Sequence, residues 1–245
     1  DMVSRGLGDV YKRQIMIQQT KGIVLSSIKY AESSIICRIY TESLGMQSYL
    51  VNGVRKKKGK NTYYQPLNIL DLEVFHKEKS GLQRIKECKI DYQYQEAPFH
   101  IYKSSVLLFL AEVLSKCLKE ESANVSLFSF LESSLIDFDI KEFDSTFHLH
   151  FLVGLSDFLG FCPEKNYNNW PFFDLTEGCF CAIRPTHQHF IQEPLITTFT
   201  QLLSGQAIAH NKKDVLGVLL EYYSLHIEGF RKVQSLEVLQ TVLNA

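Results

Sequence analysis

Residues 34–51 read SIICRIYTESLGMQSYLV, and this stretch decides the fold. Ser34-Ile35-Ile36-Cys37-Arg38-Ile39-Tyr40 is dense in β-branched and aromatic residues, the composition of a strand. Thr41-Glu42-Ser43-Leu44-Gly45 reads as a turn, with Gly45 free to take a positive φ. Gln47-Ser48-Tyr49-Leu50-Val51 reads as a second strand. Before them, Gly22-Ile23-Val24-Leu25 opens the β-rich run. After them, Leu70-Asp71-Leu72-Glu73-Val74 alternates apolar and charged residues, the mark of a strand with one wet face. Residues 82–91 make a weaker fifth strand. Five short strands within about 75 residues predict a small barrel or open sheet. A five-stranded OB-fold is the economical choice, because closure removes unpaired edges.

Beyond Pro98 the period changes. Ile101, Val106, Leu107, Leu110, Val113, Leu114 and Cys117 fall on a helical stripe, and Leu127, Phe128, Leu131, Leu135 and Phe138 repeat it. A third helix is expected over 144–159, with Asp144 as N-cap and Gly160 at the C-terminal cap. Residues 161–192, with Pro163, Pro171 and Pro185, break the pattern and read as an irregular insert with a short hairpin. Helices resume afterwards, Asn211 and Ser235 being placed to cap them. The expected class is α+β. A small N-terminal β-barrel (OB-fold) occupies 16–97, and a C-terminal α-helical domain with its insert occupies 98–245.

Residues 1–15 have neither periodicity nor an apolar core and look unrelated to the rest of the chain. They are expected to be a non-native scar or disordered, with Met16 as the natural start. No run of about 18 uncharged apolar residues appears, so no membrane helix is expected. The six scattered cysteines predict reduced thiols in a cytoplasmic protein. The chain carries 26 Lys+Arg against 27 Asp+Glu, yet the charge is divided unevenly. Residues 16–97 hold 13 basic and 8 acidic side chains, a net of +5, whereas 98–245 hold 10 and 17, a net of −7. Two domains with different tasks are implied.

The basic excess concentrates in Arg55-Lys56-Lys57-Lys58-Gly59-Lys60, five cations in six residues. A basic connection between strands of a small sheet reads either as a grip for nucleic-acid phosphate or as a solvated loop. Lys29 and Arg38 lie on the first two strands and join the candidate set. Tyr30, Tyr40, Tyr49, Tyr63 and Tyr64 lie nearby in sequence. Cations that track a backbone and rings that stack on bases are what sequence-tolerant single-strand binding needs. One or two of the five rings are expected to touch a base.

Catalytic signatures are thin. There is no lysine-bearing phosphate loop, GxSxG or HExxH, so no enzyme is expected. The metal alternative is Cys179-x-Cys181 with His187-x-His189. If 178–183 paired with 187–191 around Arg184-Pro185-Thr186, all four side chains would share one face and could bind Zn²⁺. Straight strands rather than C-x₂₋₄-C knuckles count against it, so neither metal nor cofactor is expected. A zinc-dependent nucleic-acid enzyme and an OB-fold accessory protein for RNA or tRNA are the rival readings.

Several short motifs occur in a telling order: T-K-G-I-V-L-x-x-x-K-Y-x-E (Thr20 to Glu32), T-E-S-L-G (Thr41 to Gly45), G-V-R-K-K-K (Gly53 to Lys58) with Q-P-L (Gln65 to Leu67), L-G-F-x-P (Leu159 to Pro163), and Y-x-x-H…Q-S-L-E-V-L (Tyr223 to Leu239). With them the chain, from Met16 onward, resembles the RecO family of bacterial recombination mediators. The resemblance implies an N-terminal OB-fold, a helical C-terminal domain, and binding to single- and double-stranded DNA with annealing of complementary strands. It implies help in loading RecA with RecR onto strands coated by single-strand-binding protein, whose acidic C-terminal tail is the expected docking peptide. Lys116 and Lys119 are candidates for its cationic rim. A cytoplasmic protein that joins the nucleoid during repair is implied. Many members carry a zinc knuckle of two C-x-x-C pairs in the insert. Here Asn166-Tyr167-Asn168-Asn169-Trp170 stands where the first pair is expected, and of the second only Cys181 matches, with Arg184 at the other position. The zinc is therefore not carried over, and Trp170, Phe172 and Phe173 are expected to hold the insert by apolar packing instead.

Overall fold

The computed structural model describes residues 16–54, 60–77, 80–120 and 122–243, without the side chains of Lys60 and Asn61. By packing, the chain falls into two compact units. One holds residues up to Glu96 together with Ala111–Asp139, and the other holds Ala97–Leu110 and Ile140–Ala245.

The first unit is built on β1 (Met16–Lys29), β2 (Ile35–Thr41), β3 (Gly45–Val51), β4 (Ile69–His76) and β5 (Gln83–Tyr92). They close in the order β1-β2-β3-β5-β4, a five-stranded barrel of OB type. Closure depends on β1, which pairs with β4 along its first half and with β2 along its second, across an irregularity between Val24 and Ser26. Gly22 sits where both pairings meet, opposite Thr41 and Leu70. A Cβ there would lie 2.6 Å from Ile39 Cγ2 and 2.9 Å from Leu72 Cδ1, so the crossover needs a residue without one. The expected turn is present: Gly45 has φ +64°, and the Leu44 N–H donates to Thr41 Oγ1 at 3.1 Å.

Alternation sorts the side chains. Cys37, Ile39, Tyr49, Leu70, Leu72 and Val74 fill the barrel, all fully buried. Residues on the outer face of β2 meet α1 (Ile101–Cys117) and α2 (Val125–Ile140). Tyr40 stacks on Phe128, the ring centroids 6.4 Å apart. Lys21 of β1 bonds Glu132 at 2.8 Å and Asp91 at 3.0 Å. Asp139 at the end of α2 accepts from the Tyr92 hydroxyl and from the N–H groups of Gln95 and Glu96 at 2.7–3.0 Å. Asn124 Oδ1 caps α2 by accepting the Leu127 N–H at 2.9 Å, three residues on.

The second unit contains α3 (Phe147–Phe158), α4 (Leu195–Leu203), α5 (Lys212–His226) and α6 (Ser235–Leu243), with a small sheet of β6 (Phe172–Asp174), β7 (Cys179–Cys181) and β8 (Phe190–Ile191). Asp144 does not cap α3. Its carboxylate accepts from the N–H and hydroxyl of Thr146 at 2.8 and 2.7 Å, closing a turn just before the helix. Gly160 ends α3 as expected: its N–H donates to Asp157 O and that of Phe161 to Ser156 O, a Schellman arrangement. Asn211 occupies the N-cap position of α5 with φ 57° but makes no side-chain cap bond. The Tyr223 hydroxyl ties α5 to Leu152 O of α3 at 2.6 Å, and His226 Nε2 meets Leu175 O at 2.9 Å. Among the described residues no helix is long and apolar enough to cross a membrane.

Candidate nucleic-acid interface

Arg55, Lys56, Lys57 and Lys58 lie outside the described residues, as does the side chain of Lys60. Val54 and Tyr64 are 1% and 4% exposed and both belong to the barrel core, with Val24, Ile35 and Val51. On the entry side, the Val54 N–H donates to Ser33 O at 3.1 Å, and Ser34 Oγ bonds Asn52 Oδ1 at 2.9 Å. On the exit side, a 3₁₀ turn over Lys60–Tyr64 is held by Asn68 Nδ2, which donates to Thr62 O and Tyr63 O at 2.7 and 3.1 Å. Leu67 N–H then donates to Val24 O, and Val24 N–H to Asn68 O at 3.0 Å. The five cations therefore stand in sequence between two buried anchors.

Lys29 is exposed at the end of β1 and pairs with Ile35. The β1–β2 turn just beyond it is the one bonded to Asn52 and Val54, so Lys29 and the entry to the basic run share one end of the barrel. Arg38 does not join them. It lies mid-strand on the outer face, with Nη1 3.5 Å from Ser115 O. Of the five tyrosines, Tyr40, Tyr49 and Tyr64 are 3%, 0% and 4% exposed and are core residues. Burial pushes all three hydroxyls up, Tyr40 to about 12. Tyr63 packs against the barrel core. Tyr30 alone of the five is open, at 61% exposure.

Lys116 is paired with Glu112 at 3.4 Å, and Lys119 is exposed just beyond α1. A cavity of about 130 Å³ with a cationic rim occurs elsewhere, in the second unit, and neither lysine lines it. Ser145, His148, Lys212, Lys213, Leu216 and Leu239 surround it. Lys212 Nζ bonds Ser145 Oγ at 2.7 Å. His148 is 2% exposed, and its Nδ1 has no hydrogen-bond partner among the described residues. Burial pushes its pKa down to about 4, Lys212 and His150 adding to the effect and Asp144 opposing it. Sequence reading missed this site, although it left one signal. Lys212 and Lys213 open a helix, where positive charge opposes the macrodipole and calls for an anionic partner.

The structure does not bring the four candidate ligands of the insert onto one pair of strands. The insert strands pair as β7-β6-β8, with Phe172 opposite Cys181, Asp174 opposite Cys179, and Phe173 opposite both Phe180 and Ile191. The expected pairing of 178–183 with 187–191 is thus replaced by one in which β6 lies between them. Cys179 and Cys181 are separated from His187 and His189 by a strand. The histidines are engaged otherwise, His187 Nε2 with Asp174 at 3.0 Å and His189 Nδ1 with Glu221 at 2.8 Å. Among the described residues no group of three or more His, Cys, Asp or Glu side chains is arranged to hold a metal. Of the three aromatic residues expected to pack the insert, Phe172 and Phe173 make ring contacts. Phe173 is fully buried, 4.8 Å from Phe180 and 5.0 Å from Phe199, and Phe172 meets Phe190 at 5.7 Å. Trp170 stays 36% exposed and lies outside this core.

Comparison with known proteins places these features in one lineage. The family model described as "Recombination protein O N terminal" matches residues 16–94, and that described as "Recombination protein O C terminal" matches 98–235. The DNA repair protein RecO of Flavobacterium psychrophilum is 35% identical over 235 residues, covering 92% of this chain and 99% of its own. That of Phocaeicola vulgatus is 36% identical over 242 residues, covering 94% and 100%. That of Porphyromonas gingivalis is 29% identical over 250 residues, covering 94% and 100%.

Proposed function

The chain belongs to the RecO family of DNA repair proteins, and from that membership we propose that it is a recombination mediator that binds single- and double-stranded DNA, anneals complementary strands, and helps RecR load RecA onto strands coated by single-strand-binding protein. In this reading residues 16–97 grip DNA and residues 98–245 hold protein partners. It is a cytoplasmic protein that joins the nucleoid during repair, and its task is binding, with no catalytic step and no cofactor.

One observation carries the DNA-binding part: five cations stand in sequence between Val54 and Tyr64, both buried in the barrel core, and Val54 is bonded to the turn that follows Lys29. Phosphate contacts by these side chains would release counterions and lower the repulsion between two strands brought together. Replacing Arg55, Lys56, Lys57, Lys58 and Lys60 by alanine should weaken binding across all DNA sequences and flatten its salt slope, measured by anisotropy on labelled oligonucleotides. An unchanged slope sinks the assignment. A preference for structured RNA over DNA would favour the accessory-protein reading.

The cavity beside His148 suits the acidic tail of single-strand-binding protein. Lys212, Lys213 and the start of α5 answer carboxylates, while Leu216 and Leu239 offer an apolar floor.

A further inference from the structure

We infer that Tyr30 is the base-stacking platform of this interface and that it gives the protein a preference for single strands over duplex. The inference rests on the DNA-binding reading above and adds a residue and a discrimination to it. Four of the five tyrosines around the barrel are spent on packing, as their burial or core contacts show. Tyr30 is 61% exposed and makes no ring contact with another described residue. Its backbone is nonetheless fixed. The N–H groups of Tyr30 and Ala31 both donate to Ser34 O, at 3.0 and 3.3 Å. The same turn is bonded through Ser33 O and Ser34 Oγ to Val54 and Asn52, the residues that lead into the basic run. Lys29 precedes the ring and is exposed, as is Ile28 at 60%.

An aromatic face held on a tight turn, with the exposed Lys29 beside it, matches what an unpaired strand offers. Phosphates meet the cations while a free base covers the ring. A duplex keeps its bases stacked inside, so it can use the cations but not the ring. Loss of the ring should then be felt by single strands alone.

The test compares wild type, Tyr30→Ala and Tyr30→Phe on a dT oligomer and on a duplex of equal length at fixed salt. Tyr30→Ala should weaken the single strand about ten-fold and leave duplex affinity and salt slope as they were. Tyr30→Phe should behave as wild type, because stacking needs the ring and not the hydroxyl. As a second measurement, Tyr30→Trp in a Trp170→Phe background carries one indole, whose emission should be quenched by the dT oligomer and not by duplex. Equal losses on both ligands, no loss on either, or an unquenched indole in the presence of bound single strand overturns the inference. A wild-type protein that binds neither ligand overturns the DNA-binding reading itself, and is told apart from failure of the stacking role, in which wild type binds and Tyr30→Ala is unchanged.

Discussion

Two segments leave the regular scaffold, and they are secured in opposite ways. The connection from Val54 to Tyr64 is held at its ends, each a buried member of the barrel core. The insert over residues 161–192 is pinned through its middle. There Phe173 and Phe180 pack on each other and Phe173 reaches Phe199 of α4, while at its first residue the Tyr222 hydroxyl of α5 bonds Phe161 O at 2.7 Å. The difference comes from the side chains each carries. Five cations cannot be buried without several kcal/mol of cost per ion, and the buried residues that flank them in sequence are a valine and a tyrosine. An aromatic-rich insert can instead be secured by burial of its rings.

The sharpest challenge to that contrast is Phe173→Ala. The ring is fully buried and contacts Phe180 and Phe199, so its loss should cost about 3–5 kcal/mol. Urea unfolding should register this as a large fall in midpoint, while treatment of the wild-type protein with a chelator should leave the midpoint unchanged. A chelator effect, or a Phe173→Ala cost below about 1 kcal/mol, would mean that something other than the aromatic cluster holds the insert.

The contrast also marks what a sequence discloses. Strands β2 and β3 are legible because alternation and a Gly45 turn are local signals. The basic run is legible as composition. Its anchors are not, since one buried valine beside five charges makes no period; Val54 is revealed only by the core around it. The first residues of β1 are likewise set by a partner: Met16 to Lys21 extend the strand because His76 to Asp71 lie opposite. The strand order of the insert escapes a sequence reading for the same reason. Strands of two or three residues are too short to show a period, and Phe172-Phe173-Asp174 reads as an apolar cluster until its pairing is known. The tyrosines need register before inside and outside can be told apart. The cavity joins residues from 145–148, 212–216 and 239–243, which no single window contains.

The two units should also fail at opposite ends of the pH scale. His148 is buried neutral, its pKa falling from 6.5 to about 4. Between those values the unfolded chain binds the proton and the folded one does not, so stability is full above pH 6.5 and is lost as pH falls through 4. The shift corresponds to about 3 kcal/mol. In the barrel, burial pushes the Cys37 thiol up from 9.0 to about 12, so its contribution is intact below pH 9 and is lost as pH rises through 12. Urea midpoints at pH 7 and pH 4.5 for wild type and His148→Leu check the acid arm. The variant should lose much of the pH dependence in that window, beyond what carboxylates contribute to both proteins. Identical slopes would mean that His148 is not the group that takes up the proton.

Val54→Ala probes the end-held segment with the smallest of these changes. It removes two methyl groups from a side chain that is 1% exposed, at a cost of about 2 kcal/mol. Every cation stays in the chain. The salt slope of DNA binding counts the phosphates neutralised and should therefore be unchanged, whereas affinity at constant salt should drop if the anchor helps to present the charges. Substituting the cations themselves should reverse this pattern, altering the slope and leaving the unfolding midpoint within about 0.5 kcal/mol of wild type. Each variant thus separates what the other leaves joined, attachment in one case and charge in the other. If Val54→Ala unfolds like wild type, the entry to the basic run is not held by the barrel core and the comparison with the insert fails at its first term.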